Sequence, residues 1–430
     1  MKNILFASVL LTLSTATFAQ TLPCEGAAGY TYTNPDSSPG GFVANTAIVS
    51  GDIIIAPTAS VCETANLGGK ITILGNSIIK GNARLFGGAA GIEVENGVIG
   101  ENAIVNGDVW VKQGAVVRGN AIIQNSVKIM GDSSVLRSGP AVYDNARLVQ
   151  NVQILNKAKI FGKTTTSGSV VVSGEAQVSG KAALKQSAQV SGKAKIYDQA
   201  IVTGTAIVSD NAQVYEDAFV TDQSNISKNA KIHGQSLIGW GSRVSDNAEV
   251  YGQAILKIDP TNSLTGIYKN AKIFGRARVD GSTQITENTL VFDDASVNSS
   301  FVAGNAQVLE NASVLYATIY GDAIIKGFAQ VLSGSVYQDA QVYGNAIIRN
   351  GSSSILGYAQ IFENAVVEGN AIIQDHAQVY GNALINAGKV NQGGQVYGNA
   401  VVEPTGEVSG FGLAHGTAVV TDLILWEVTQ

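Results

Sequence analysis

One six-residue stretch decides the fold of this chain. It reads Val379-Tyr380-Gly381-Asn382-Ala383-Leu384, and the next aliphatic residue, Ile385, follows Val379 by six positions. The same spacing holds throughout residues 142–256, where Thr166 is the one residue at this position that is not Val, Ile or Leu. A helix repeats its apolar residues about every 3.6 positions and a simple strand about every two. A period of six therefore predicts a strand of two or three residues followed by a corner, taken over and over.

The small and polar residues of the repeat are those that a corner requires. Gly, Asn and Asp stand just after the aliphatic residue, as in Gly344-Asn345 and Gly369-Asn370, and these residue types tolerate the positive φ of a sharp turn. Ala precedes the aliphatic residue by two positions, so both side chains point to the same side of the strand. We therefore predict a solenoid whose interior is filled by aliphatic side chains and alanines.

Side chains that recur every eighteen residues show how many hexads make one coil. An aromatic or His side chain recurs at this spacing, with Ser179 as the exception, at Tyr143, Phe161, Tyr197, Tyr215, His233 and Tyr251. The track resumes later as Tyr343, Phe362, Tyr380 and Tyr397. Three hexads per coil predict an all-β fold, namely a single-stranded parallel β-helix of triangular cross-section with about 20 coils.

The repeat resembles that of the hexapeptide-repeat superfamily, in which an aliphatic residue is followed four positions later by a small one. The resemblance covers nearly all of residues 46–420, and the Gly two positions after the aliphatic residue is similar to the V-x-G-x-A type of this superfamily. The resemblance implies a left-handed coil. It also implies that an enzyme of this kind would be a trimeric acyltransferase with a His beside a loop, in a cleft between subunits.

The composition excludes several functional classes. Of the 430 residues, 45% are hydrophobic and 14% are charged, which is typical of a large buried core and not of a disordered tail. A net charge of -6 with scattered Lys and Arg argues against a nucleic-acid partner. Three His and two Cys leave little for a transition-metal site, so we predict no metal and no cofactor.

The first residues have the pattern of a secretion signal. Residues 1–3 are a short positive start, residues 4–13 form an apolar stretch, and Thr17-Phe18-Ala19 ends in a small residue suited to cleavage. The apolar stretch is shorter than the roughly 20 residues that cross a bilayer, so no membrane span is predicted. We expect residues 1–19 to be removed and the chain to reach the periplasm, the cell surface or the extracellular space.

The rest of the chain divides into three segments. We predict an N-terminal cap over residues 20–45, the β-helix over residues 46–420, and a C-terminal strand or weak cap over residues 421–430. Cys24 and Cys62 are the only cysteines, and such a pair in an exported chain predicts a disulfide that ties the cap to the first coils. A lipid-modified Cys24 is the alternative, although Pro23 precedes it where a lipoprotein signal has a small residue.

None of the three His residues has the setting of a general base. His233 occupies a position of the aromatic track, and His415 lies near the end of the repeat. His376 is a weak candidate because Asp375 precedes it, but corner residues of this kind are commonly solvated. We therefore predict no catalytic residue.

One face of the prism carries apolar residues on its outer side. In the regular segment these are Ile201, Phe219, Leu237 and Ile255, and further along Ile347, Val366, Leu384 and Val401. On the aromatic face the corresponding residues are polar, among them Lys195, Gln213, Lys231 and Glu249. A contiguous apolar stripe marks a partner surface, so self-association as a trimer, lateral bundle or head-to-tail fibre is expected. The alternative is that Ile and Val are simply good strand formers.

The aromatic track suggests a second role. Tyr197, Tyr215, Tyr251 and Tyr380 form a line on which the sugar rings of a polysaccharide could stack, although aromatic ladders also stabilise solenoids by themselves. Together these features predict an exported structural or adhesive rod that is not an enzyme. The alternatives are an acyltransferase-like enzyme and a carbohydrate-binding adhesin.

Overall fold

The computed structural model describes residues 23–131, 139–259, 265–425 and 427–429. The signal segment predicted for residues 1–19 lies outside the described residues. So do residues 132–138 and 260–264, which make up most of two short interruptions of the repeat.

The chain winds into a parallel β-solenoid of about 21 turns with about 18 residues per turn. One regular coil contains the strands Lys195–Ile196, Ile201–Val202 and Ile207–Val208. Each pairs in parallel with the strand one coil later, so that Lys195 lies beside Gln213 and Ile201 beside Phe219. The predicted β-helix with three strands per coil is confirmed, whereas its left-handedness stays a prediction.

The three strands of each coil define three faces, named here A, B and C in chain order. Face A includes Lys195–Ile196 and runs from Pro39–Ala44 to Glu427–Thr429, and face C includes Ile207–Val208 and runs to Leu423–Ile424. From the fourth coil onward, the strands of face B are Ile104–Gly107, Ile122–Gln124, Arg147–Val149, Thr165–Gly168, Ala183–Gln186, Ile201–Val202, Phe219–Val220, Leu237–Gly239, Ile255–Ile258, Arg278–Gly281, Ser296–Asn298, Ser313–Leu315, Gln330–Val331, Ile347–Arg349, Val366–Glu368, Leu384–Asn386, Val401–Val402 and Val419–Val420.

The core is one column of side chains along the axis. Ile196, Val202 and Val208 from the three faces are fully buried, and so are the alanines that precede them by two positions. Thr166, the exception in the repeat, also points inward, and its hydroxyl has no hydrogen-bond partner. The prevalence of aliphatic residues and Ala follows from this narrow interior, which also holds small polar residues such as Ser224 and Ser236 at positions of Ala.

Residues with positive φ, in the left-handed backbone conformation, form the corners. Asp198, Glu216 and Gly234 occupy the same corner of successive coils, with φ of 56°, 56° and 71°. The backbone N–H of Gly234 donates a hydrogen bond to Glu216 Oε2 at 2.8 Å, and the N–H of Glu216 donates to Asp198 Oδ2 at 3.3 Å. A corner carboxylate thus satisfies a backbone donor of the next coil, which explains why acidic residues and Gly alternate there.

The N-terminal end differs from the regular coils. Gly29–Thr33 pairs antiparallel with Pro39–Ala44, which in turn begins the parallel ladder by pairing with Ser60–Val61. The parallel ladder therefore starts within the segment assigned to the cap. Three long strands, Ile48–Ile55, Asn66–Leu74 and Arg84–Glu95, cross the corner between faces B and C without a break.

Cys24 and Cys62 form the predicted disulfide, with Cα atoms 5.3 Å apart. Cys24 belongs to the short 3-10 turn Pro23–Gly26, so the bridge fastens the first described residues to the second coil. At the other end, Glu427–Thr429 pairs in parallel with Leu413–His415, and the ladder thus continues into residues 421–430.

Candidate functional site

The aromatic track forms two ladders of rings stacked face to face. Neighbouring ring centroids are 4.6 to 5.0 Å apart, and the ring planes differ by 2° to 6°, in the ladder made of Tyr197, Tyr215, His233, Tyr251, Phe274 and Phe292. A second ladder contains Tyr343, Phe362, Tyr380, Tyr397 and His415. The spacing of adjacent parallel strands, about 4.8 Å, equals a favourable stacking distance, so the coil geometry itself produces these ladders.

This geometry determines what the ladder presents to a ligand. The faces of Tyr215 are covered by Tyr197 and His233, so ring edges and hydroxyl groups point outward. The hydroxyl of Tyr197 bonds to Gln213 Oε1 at 3.2 Å. Burial, together with the nearby Tyr197 and the carboxylates of Glu249, Glu216 and Asp198, raises the pKa of Tyr215 to about 12. Sugar binding by Tyr197, Tyr215, Tyr251 and Tyr380 stays a prediction, and stacking of a sugar on an inner ring would require displacement of a neighbour.

His233 lies within a cluster of charged groups. Its Nε2 is 3.2 Å from Glu249 Oε1, and its Nδ1 is 3.7 Å from Glu216 Oε2. Lys272 Nζ approaches the other oxygen of Glu249 at 3.2 Å. Burial alone would raise the pKa of Glu249, but the hydrogen bonds from Lys272 and His233 outweigh it and lower that pKa. Glu249 is thus held between Lys272 and His233 beside the ladder.

The structure separates His376 from the carboxylate that precedes it. The ring of His376 stacks on Tyr358 with centroids 5.0 Å apart, one coil away. Asp375 Oδ2 instead accepts a hydrogen bond from the backbone N–H of Gln392 at 3.1 Å. Asp375 thus has the ordinary role of a corner carboxylate. Asp293 has the same role, with the N–H of Glu310 as donor at 3.3 Å.

Over residues 183–419 the outward residues of face B form two apolar blocks, and Ile104 and Ile122 are a further apolar pair nearer the N-terminus. The first apolar block consists of Ala183, Ile201, Phe219, Leu237 and Ile255, and the second of Ile347, Val366, Leu384, Val401 and Val419. A polar spacer separates them, formed by Arg278, Ser296, Ser313 and Gln330. Ile201, Phe219, Leu237 and Ile255, the predicted interface residues, lie side by side and are half-buried by their neighbours in the ladder. The stripe expected from the sequence is real, but it is divided.

Two exposed aromatic residues occupy corners where the backbone strongly favours Gly or Asn. Trp240 and Tyr316 have φ of 60° and 49°, and both lie on the corner between faces B and C with 66% and 68% of their surface exposed. Bulky side chains are rare in this region of φ. The backbone N–H of Trp240 donates to Asp222 Oδ2 at 2.9 Å. The sequence reasoning missed both residues, although an aromatic residue at a corner position was the signal.

A groove of about 590 Å³ lies beside Trp240. It is lined by Thr205, Asp222 and Gln223 and by the glycines at two corner positions. An exposed indole ring next to a hydroxyl, a carboxylate and an amide is a combination that suits a polyhydroxylated ligand.

Asparagine side chains form a further ladder on the corner between faces C and A. Each side-chain amide donates to the carbonyl oxygen of the next at 3.0 to 3.1 Å, in the order Asn211, Asn229, Asn247, Asn270, Asn288 and Asn305. Beside its end, Tyr320 and Asp322 contribute to a groove of about 460 Å³. Such amide ladders are known to reinforce stacked strands.

In the described ranges, no group of three or more His, Cys, Asp or Glu side chains is placed to hold a metal ion. A membrane-crossing helix is likewise not found among the residues that the structure covers.

A family model and a solved structure are each similar to part of this chain. A family model described as "YdcK Beta solenoid repeat" matches residues 377–390, which include the hexad that begins at Val379. Among solved structures, the chain is similar to one described as "putative acetyltransferase from Desulfovibrio desulfuricans G20", with 12% identity and a TM-score of 0.16. That match covers 64% of this chain and 66% of the other, which is slightly less than two thirds of its length. No curated protein matches the sequence.

These findings define the class of protein. The chain is a parallel β-solenoid built from hexapeptide repeats, as the V-x-G-x-A pattern predicted. Within residues 377–390 its repeat is of the kind described as YdcK Beta solenoid repeat.

Proposed function

We propose that this protein is an exported structural rod that associates laterally with further copies of itself through face B. The observation that carries the proposal is the pair of apolar blocks on this face. In the coils of the first block, face A carries Lys195, Gln213, Lys231 and Glu249 at the equivalent outward positions. Exposure of a row of aliphatic and aromatic side chains to water is unfavourable, whereas contact with a partner would bury them.

Export is supported by two features. The pattern of residues 1–19 is that of a secretion signal, and the Cys24–Cys62 disulfide suits an oxidising compartment. The acyltransferase alternative gains nothing from the structure, because His376 stacks on Tyr358 and its neighbour Asp375 bonds to the backbone.

Two aspartates on the first apolar block test self-association. We expect Phe219→Asp combined with Leu237→Asp to convert the oligomer of the mature chain to a monomer, because like charges would be buried at the contact. The measurement is light scattering coupled to size exclusion, with circular dichroism to confirm the fold. Ile207→Asp combined with Asn225→Asp is the matched control, since it adds the same charges to adjacent rungs of face C. A folded face B variant that keeps the wild-type mass would refute the proposal.

Carbohydrate binding is a second candidate function, and the exposed ring of Trp240 favours it. A sugar ring stacks on an open aromatic face, and Asp222 and Gln223 in the same groove can bind its hydroxyl groups. Trp240→Gly should abolish adsorption to an immobilised polysaccharide without harming the corner, because Gly204 occupies the same corner two coils earlier. Phe328→Ala is the control, since Phe328 is 62% exposed and does not line this groove. Wild-type protein that adsorbs to no polysaccharide would remove this candidate.

A further inference from the structure

We infer that two copies of this chain pair antiparallel, with the first apolar block of each copy on the second apolar block of the other. The inference rests on the proposed lateral association and specifies its geometry. The occupant of face B is a second copy of the chain, related to the first by a two-fold axis perpendicular to the rod.

The order of residues along face B is the first argument. Over residues 183–419, strand register places five apolar rungs, four polar rungs and five apolar rungs in succession, so this part of face B reads the same in both directions. A two-fold axis between Ser296 and Ser313 therefore matches every apolar rung with an apolar rung. The resulting pairs are Ala183 with Val419, Ile201 with Val401, Phe219 with Leu384, Leu237 with Val366, and Ile255 with Ile347. Such a closed, isologous contact is the commonest form of homodimer.

The pattern on face B is long enough to bury the area of a specific interface. Ring planes in the adjacent aromatic ladder differ by 2° to 6° from coil to coil between Tyr197 and Phe292. Fourteen rungs at about 4.8 Å per step span roughly 60 Å, and a strand of three residues is about 10 Å wide. Two such strips bury on the order of 1,200 Å² in total, which reaches the range of specific interfaces.

Charged residues along one edge of face B meet in one favourable and one like-charged contact in the antiparallel arrangement. Lys185 and Lys257 flank the first block on the side of face C, and Arg349, Glu368 and Glu403 flank the second. A two-fold axis perpendicular to the rod brings this edge against itself in reverse order. Lys185 then lies within one rung, about 4.8 Å, of Glu403 of the other copy, whereas Lys257 lies opposite Arg349, which is paired with Glu368 in its own chain. A two-fold axis parallel to the rod would instead bring Lys185 opposite the edge that carries Lys181.

Distances between spin labels test the arrangement on the full mature chain. Thr203→Cys places a nitroxide on the edge of face B beside Ile201, and Asn298→Cys places one beside Ser296; the native cysteines are already bonded to each other. The antiparallel dimer predicts two separations. The labels at position 203 should be eleven rungs apart, about 53 Å, and those at position 298 one rung apart along the rod, less than about 20 Å overall.

The other outcomes are distinct from this one. Separations below about 20 Å at both positions indicate a parallel dimer or trimer, and separations of about 43 Å at both indicate parallel copies staggered by nine rungs into a fibre. Either result overturns the antiparallel pairing and leaves self-association intact. A monomeric mass with no dipolar coupling at either position overturns the proposed function as well.

Discussion

Removal of single asparagines from the ladder on the corner between faces C and A gives a graded test of how the coils are held together. Asn211 is the first member, and its side chain makes one ladder hydrogen bond, to Asn229 at 3.1 Å. Asn229 makes two, because it also donates to Asn247 at 3.1 Å. The two residues lie on adjacent coils at the same corner, so Asn211→Ala and Asn229→Ala differ mainly in the number of bonds lost.

The magnitudes follow from the bond count. An exposed side-chain hydrogen bond contributes about 0.5 to 1 kcal/mol to the free energy of unfolding. Asn211→Ala should therefore cost about 0.5 to 1 kcal/mol and Asn229→Ala about 1 to 2 kcal/mol. The double variant loses the same two bonds as Asn229→Ala, so its cost should equal that of Asn229→Ala. The coupling free energy between the two sites is then about 0.5 to 1 kcal/mol.

Native-state hydrogen exchange of the coils around residues 205–235 is the suitable assay. Stability in a solenoid is a sum of local terms, and a single global unfolding transition is not assured. Protection of these amides should fall in the order wild type, Asn211→Ala, Asn229→Ala. Equal losses for the two single variants, or additive losses in the double variant, would show that the amide ladder is not a source of stability.

Three further outcomes are expected. Ionised Glu249 stabilises the folded protein because its pKa there is lower than the ordinary value of 4.5; this stability is present above that ordinary value and is lost as the pH falls through the lowered pKa. Glu249→Gln should therefore destabilise the protein at pH 6 and less so at pH 3, as measured by the denaturant midpoint. Tyr215→Phe should remove one absorbance transition near pH 12, and loss of a transition near pH 10 would contradict the burial of that phenol. Reduction of the disulfide, which closes a separation of 38 residues, should destabilise the first coils by up to about 4 kcal/mol and leave exchange within residues 377–420 unchanged.

The repeat made the coil predictable because few residue types fit each inward position. The positions of Val379 and Ala383 are mostly aliphatic residues and Ala along the chain because the core is narrow, and the eighteen-residue spacing of Tyr197 and Tyr215 reports the coil length directly. The ladders followed because residues one coil apart must lie about 4.8 Å from each other.

Features that depend on neighbouring coils were harder to predict. The division of face B was not predicted because Arg278 follows a point where counting by eighteen fails: Val244 pairs with Ile267, 23 positions later. The long strand Ile48–Ile55 crosses a corner that the hexad pattern marks as a break. Trp240 was missed because a corner residue is identified by its backbone conformation and not by its side chain.

The coil-by-coil register also makes length an adjustable property of this protein. Each coil contacts mainly the coils before and after it. A duplicated segment of eighteen residues could therefore be inserted as one more coil, with the same core packing as its neighbours. The place of insertion would nevertheless matter. A coil added at the centre of the polar spacer would lengthen the gap and keep the pattern of face B the same in both directions, whereas a coil added inside either block would leave one rung unmatched. Pairing through face B would then tolerate an added coil in the polar spacer and would be weakened by an added coil in either apolar block.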